Sequence, residues 1–442
     1  MASTFLSRSI SSTGNQKKMT FSAWVKRASA SATNCMFATG VGAERSMILF
    51  ESSGRLQFSR YNSNYIWHLA TNRLFRDTNA WYHVVCALDT TQSTASDRAK
   101  IWINGVQETS LSTSTYPSLN YDDGFNTSGK TQYVGQDSDG NQDYNGCMTH
   151  VHYIDGTAYT PSTFGQTDAT TGEWSINTSP TLTMGTNGFT ILKDGTTITD
   201  QSSNSNNFSV GAGTLTFTHD NPSNIFCVLN DITSKNKPSL ANGNTKTNTS
   251  SDGQYVFGTI GSKAGYYEIK LGQNPNGGNG NGLTFGTYDA NFDDTQTNST
   301  NVRMYKTNHA YSTNYSIDVG NGAGTTTGVA AAAGDIINVA WKNGKLYCGK
   351  NGTYFFSANP SNNTDGSTQV TMADSNAYQL PISKSNVDGM TNSEWNFGNG
   401  YFGTTAITTN SGNGYTDANG QGKFQYQPPT GCYALCTKNL NI

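Results

Sequence analysis

The chain has 442 residues, of which 13% are charged and 11% aromatic, with 47 glycines against 10 prolines and a net charge of −3. That length suits two or three domains, the aromatic content and low charge exclude intrinsic disorder, and the near-neutral balance excludes an electrostatic footprint for nucleic acid or an anionic membrane. Apolar runs are far shorter than a membrane span, and residues 1–18, MASTFLSRSISSTGNQKK, lack the apolar core of a secretory signal, so neither membrane insertion nor export by the usual route is expected.

Residues 19–27, MTFSAWVKR, alternate: Met19, Phe21, Ala23 and Val25 on one face, Thr20, Ser22, Trp24 and Lys26 on the other. The period of two predicts a half-buried strand. Short strands are predicted at Met47–Phe50, Leu56–Arg60 and Tyr65–Leu69. Next come two β-rich runs, Trp81–Leu88 and Ala99–Ile103, the second ending in Asn104-Gly105, a turn signal because both residues tolerate positive φ. Gln132–Gly135 and Gly146–Ile154 complete a first unit that ends near Phe164. Strand signals at roughly ten-residue spacing indicate a sandwich.

Residues 166–218 carry only weak strand signals between polar clusters, yet Trp174, Phe189, Ile191, Leu192 and Phe208 need burial. A connector packed on its neighbours, or a small β subdomain, is expected there. From 219 onward strands resume at Gly265–Leu271, Gly282–Tyr288, Ile336–Trp341, Lys345–Gly349 and Thr353–Phe356, with turn dipeptides at Asn343-Gly344 and Asn351-Gly352. No segment has sustained helical periodicity or heptads. Seven cysteines (Cys35, Cys86, Cys147, Cys227, Cys348, Cys432, Cys436) sit mostly in apolar runs, where a thiol packs as a small hydrophobe. Only Cys432 and Cys436 are close enough in sequence for a disulfide to be considered, and they lack a second pair for zinc.

The motifs FSAWVKR (21–27), AWYHVVCALD (80–89), AKIWINGV (99–106) and GCMTHVHYIDGTAYTPSTFG (146–165) resemble the laminin-G/concanavalin-A-like jelly roll over residues 1–165. SKAGYYEIKLG (262–272), GLTFGTYDAN (282–291) and DIINVAWKNGKLYCGKNGTYF (335–355) resemble a SPRY-type sandwich over 219–442. The combination, closed by YQPPTGCYALCTKNL (426–440), resembles structural proteins of tailed phages, especially marine ones. The expected fold is therefore all-β: two antiparallel β-sandwiches, a concanavalin-A/laminin-G-like jelly roll at 1–165 and a SPRY-like one at 219–442, joined by a β-rich connector. What the resemblance implies is a non-enzymatic virion surface protein, a capsid decoration, head fibre or short fibre. Its implied partners are other virion proteins of capsid or tail, further copies of itself, and host-surface glycans. An adhesin at the tail and a polysaccharide depolymerase are the rivals.

Several residue sets bear on that choice. Glucanases of the concanavalin-like class use two carboxylates at fixed separation, whereas Glu51, Glu108, Glu173, Glu268 and Glu394 are isolated in sequence and Glu44 lies in a loop. Arg60, Tyr61, Tyr65 and Trp67 form the densest exposed-looking aromatic cluster; Tyr288, Phe292, Tyr305 and Tyr311 mark two more. Flat apolar rings beside hydrogen-bonding groups suit sugars, although sandwich cores and subunit interfaces use the same residues. Asp137, Asp139, Asn141 and Asp143 alternate in a loop, a spacing that suits calcium, which laminin-G-like domains often bind; a polar hairpin loop is the plainer reading, since the glycine falls at the fourth position and not the sixth. His150 and His152 lie two apart on a strand and would share a face, but no third zinc ligand is near. No other cofactor is expected.

Overall fold

The computed structural model describes residues 4–232, 236–274, 282–289, 302–307, 314–318, 326–364, 370–371, 378–408 and 414–440. Two compact units divide the chain, one ending at Phe217 and the other beginning at Thr218. Both are all-β, with no element longer than a single 3₁₀ turn besides strands among the described residues.

In the first unit two antiparallel sheets face each other. The larger orders its strands Leu111–Thr115, Asn64–Thr71, Leu56–Asn62, Glu44–Phe50, Asn34–Val41, Thr131–Val134, Phe5–Ser9 and Ser209–Ala212. The smaller runs Phe189–Ile191, Gly146–Asp155, Lys18–Arg27, Trp81–Asp89, Ala99–Ile103 and Val106–Gln107. Met19, Phe21, Ala23 and Val25 all enter the core between the sheets, with Phe37, Phe58, Trp67, Val84, Tyr153 and Phe189. The Met, Phe and Val side chains among them each stabilise the fold by about 1.5–3 kcal/mol through burial alone.

Two sequence expectations change here. Lys18–Arg27 is covered on both faces, not half-buried, because Phe164, Met184, Tyr159 and Leu182 pack over the outer face of the smaller sheet against Val85, Ala87, Trp102 and Ile154. Residues 166–217 fold into the first unit: Phe189–Ile191 pairs with Gly146–Asp155, and Ser209–Ala212 pairs with Phe5–Ser9, so each of the two sheets gains an edge strand from this stretch. The aromatics that needed burial found it in the first unit.

Besides the short pair Tyr401–Phe402 and Thr405–Ala406, the second unit also has two large sheets among the described residues. One is ordered Ser239–Ala241, Lys246–Thr249, Glu394–Asn396, Gly265–Lys270, Ile336–Lys342, Lys345–Lys350 and Thr353–Tyr354, with Val370–Thr371 and Tyr433–Ala434 attached to its side. The other is ordered Tyr255–Phe257, Gln379–Asn386, Gly282–Asp289, Val302–Lys306, Asn314–Asp318 and Thr326–Ala330. Tyr267, Ile269, Val339, Trp341, Trp395 and Phe397 fill the space between them. A second apolar layer, Phe226, Tyr266, Tyr347, Phe424, Cys432, Ala434 and Cys436, lies where the segment around 424–436 folds over the back of the first sheet. Tyr433–Ala434 runs parallel to Gly265–Lys270, whereas the other paired strands described are antiparallel. All seven cysteines are free thiols, so Cys432 and Cys436 are unbridged; burial pushes them up to about 12 and about 11.

Candidate ligand-binding face

The hairpin Leu56–Asn62/Asn64–Thr71 turns through Ser63 at φ 59°. Arg60 pairs with Trp67, but Tyr61 pairs with Tyr65, a register shift that leaves Ile66 as the extra residue of a bulge. A bulge re-aims the side chains beyond it. Leu56, Phe58, Trp67 and Leu69 therefore point into the core, while Tyr65 joins Gln57, Tyr61 and His68 on the outer face of the large sheet.

There Tyr65 stacks on His68 with ring centroids 4.2 Å apart and 20° between planes, and Tyr61 meets it edge-on at 5.3 Å. Gln57 Nε2 donates to the Tyr65 hydroxyl at 3.2 Å. The Tyr65 ring stays 47% exposed, beside an exposed Ile66. Behind it, Cys35, Ala38, Met47 and Leu49 support Tyr61, and the Arg45 guanidinium lies 5.2 Å from the Tyr61 ring centroid. The result is a fixed aromatic plane with the Tyr65 hydroxyl at its rim, held by the buried Gln57 amide, which also donates to Ser59 Oγ at 2.7 Å. Such a surface takes a sugar ring by apolar stacking plus hydrogen bonds.

The other members of the expected cluster lie elsewhere. Trp67 is 0% exposed, edge-on to Phe58 at 4.7 Å, and its Nε1–H donates to Asp123 Oδ2 at 2.8 Å. Arg60 is 5% exposed and is held by Glu44, which also takes Lys130 Nζ at 2.7 Å. Both face inward because they precede the bulge in the pairing order. Asp123 also accepts from Ser46 Oγ at 2.5 Å, yet burial raises its carboxyl above the usual range. Sequence reading missed Gln57 and His68, since nothing in RYNSNYIWH shows where the register slips.

In the second unit, Tyr305 is buried in the core, stacked on Phe285 at 6.3 Å. Tyr288 is half-buried, edge-on to Phe257 at 5.2 Å, and burial pushes its hydroxyl up to about 12. Phe292 and Tyr311 lie outside the described residues.

The acidic loop does not fit calcium. Arg45 Nη1 holds both Asp139 oxygens at 2.6 and 2.7 Å, and Arg45 Nε lies 3.5 Å from Asp137 Oδ2. Asp137 Oδ1 accepts from the Asn141 backbone N–H, and Asp143 accepts from Gln136 Nε2 at 2.6 Å. The Arg45 guanidinium thus lies against two of the expected ligands, and the Asn141 contact is a backbone one. Among the described residues, no three His, Cys, Asp or Glu side chains are placed to hold a metal ion.

The two histidines do not form a zinc pair either. His150 adopts φ 50° at a second register shift, and its ring centroid is 6.4 Å from that of His152. His152 Nδ1 lies 2.9 Å from Thr190 Oγ1; burial lowers His150 to about 4 and His152 to about 3. Glu268, isolated in sequence, is fully buried and receives hydrogen bonds from Tyr266 Oη, Asn396 Nδ2 and the backbone N–H groups of Gln425 and Tyr426, at 2.8–3.0 Å. Burial outweighs these donors and raises its carboxyl to about 7. That arrangement ties the segment after Phe424 to the sheet.

No helix of the described residues is long and apolar enough to cross a membrane. No curated protein sequence matches the chain. Among solved structures, a native heptameric SAP-like pentraxin from Limulus polyphemus is similar at 17% identity, covering 36% of this chain and 72% of that one, with a TM-score of 0.27. Domains LG4-5 of the mouse laminin alpha1 chain are similar at 9% identity, covering 89% and 85%, with a TM-score of 0.28. The SPRY domain of human HERC1 is similar at 17% identity, covering 33% and 85%, with a TM-score of 0.24. Residues 5–163, less than half of the chain, match the family model of the concanavalin A-like lectin/glucanases superfamily.

Proposed function

We propose that this protein is a non-enzymatic binding protein on the surface of a tailed-phage particle, and that the ligand of its first unit is a glycan. The observation that carries the glycan reading is the Tyr65 ring. It is exposed, backed by His68 at 4.2 Å, and its hydroxyl is held by the buried Gln57 amide. A rigid plane of this kind loses little entropy when a sugar ring stacks on it. The match of residues 5–163 to a lectin and glucanase superfamily is consistent with a binding role. The phage assignment rests on the combination of motifs ending in YQPPTGCYALCTKNL.

A host-polysaccharide array with the whole protein tests the glycan reading. Tyr65→Ala should weaken the strongest response about tenfold, equal to about 1.4 kcal/mol, with the polysaccharide chain length unchanged on incubation. An unchanged response in the variant sinks the face as the site; shortening of the polysaccharide sinks the non-enzymatic reading. Quantitative mass spectrometry of purified particles separates the two placements. Many copies per particle fit capsid decoration, and a handful fit a tail adhesin.

A further inference from the structure

Two sequence motifs with no role in the first-unit face meet across one groove in the second unit. Gly352, Thr353 and Tyr354 follow the Asn351 turn; Pro428, Pro429 and Thr430 belong to the PPTG stretch. Between them opens a cavity of about 690 Å³, inside the range of roughly 300–1,000 Å³ typical of small-ligand clefts. It is lined by Tyr354 and three prolines together with polar residues that include Thr353, Ser357 and Gln427, whose Nε2 donates to Thr416 O at 2.9 Å. None of the described residues lining it carries a charge.

The walls are held in place from behind. Lys342 Nζ, itself buried, donates to Ser361 O at 3.1 Å and to Thr430 O at 2.7 Å, so one ammonium bridges both sides. Thr430 N–H donates to Ser361 Oγ at 3.2 Å. The lining residue Ser357 and its neighbour Phe356 sit consecutively at φ 58°, a left-handed conformation that neither side chain favours. Such strain persists where the surroundings over-determine the backbone, and it clusters at binding sites.

We propose that this groove is a second binding site, for a short neutral saccharide. Neutrality follows from the lining, since an anionic or cationic ligand would be desolvated there with no counter-charge. Hydroxyls and amides complement sugar hydroxyls, while Tyr354 and the prolines take the apolar ring faces. Lys342 spends its hydrogen bonds on backbone carbonyls of the walls. A peptide fits less well, because the neighbouring edge strand Thr353–Tyr354 is only two residues long and offers little ladder to extend.

The test uses the whole protein with Tyr65→Ala, which removes the first-unit face, and titrates oligosaccharides of dextran, starch, xylan and β-glucan by calorimetry. At least one neutral oligosaccharide should still bind. Adding Thr353→Trp, an exposed position whose larger ring fills the groove, should weaken that binding at least tenfold while the thermal transition of the second unit stays in place. Gln427→Ala should weaken it with no ring added. The proposal is overturned if the Tyr65→Ala protein binds none of the set at millimolar concentration, if Thr353→Trp leaves affinity unchanged, or if polygalacturonate binds as tightly as the neutral chains. Loss of array binding in Tyr65→Ala alone bears on the first-unit face and leaves this result separate.

Discussion

Trp174 Nε1 donates its hydrogen to His83 Nδ1 across 2.9 Å. An imidazole nitrogen that accepts carries no proton, so His83 is neutral and its proton sits on Nε2, which donates to Ser22 Oγ at 2.9 Å. The ring is stacked on Trp24 at 5.1 Å, with Trp174 nearly coplanar beside it at a centroid distance of 5.9 Å. Protonation would break the Trp174 bond and place a charge beside two indoles and two further histidines.

His83, His150 and His152 are lowered by burial to about 3, about 4 and about 3. Unfolded histidine titrates near about 6.5. The folded form binds fewer protons between these values, so this contribution is present above pH ~6.5 and is lost as pH falls toward about 3. Calorimetry between pH 7 and 4 should show the first unit's transition moving down. His83→Gln should make that descent shallower; an equal slope would exclude His83 as a contributor.

Glu268 behaves with the opposite sign. Burial raises it to about 7, above the usual glutamate value of about 4.3, so the folded form holds the proton longer. Its contribution is full below pH ~4.5 and declines as pH rises through about 7. Glu268→Gln replaces one accepting oxygen with an amide that faces donors, at a cost of about 1–3 kcal/mol to the second unit. Urea denaturation read by the second unit's tryptophans checks this; loss below about 0.5 kcal/mol would contradict the hydrogen-bonding role.

Tyr65 and Trp67 should separate binding from stability. Trp67→Ala empties a core site and removes the Asp123 partner, a loss of about 3–5 kcal/mol. Tyr65→Ala removes a half-exposed ring and should stay within about 1 kcal/mol. Chemical denaturation of both variants gives the comparison, and the reverse order would overturn the assignment of faces.

Gly105 has φ 81°, and a Cβ placed there would lie 2.4 Å from the Trp174 ring. Gly105→Ala should therefore destabilise the first unit by more than about 1 kcal/mol, beyond the turn strain alone. Trp174 fluorescence should shift to longer wavelength as the ring leaves His83. An unshifted spectrum with unchanged stability would refute the contact.

Much of the architecture was legible because alternation and turn chemistry are local. Asn104-Gly105, Asn343-Gly344 and Asn351-Gly352 all take positive φ. The core face of MTFSAWVKR is the one its period indicates. What escaped was non-local. Asn34–Val41, central in the large sheet, is buried along nearly its whole length, and small and sulfur-bearing residues such as Ala38, Cys35 and Met36 give it no clear period. The Tyr65 face depends on one slipped residue, and the destination of 166–217 depends on which edges were vacant. A ring's exposure is set by register, which composition does not encode.

Both units are finished by late segments. Gly265–Lys270 meets Tyr433–Ala434 only after more than a hundred and fifty intervening residues, and Phe5–Ser9 waits equally for Ser209–Ala212. On the ribosome each unit must idle with part of an early strand unpaired until its last strand emerges. Loop closure over such spans makes folding slow, so yield in expression should depend on temperature and elongation rate more than on the strength of any single contact.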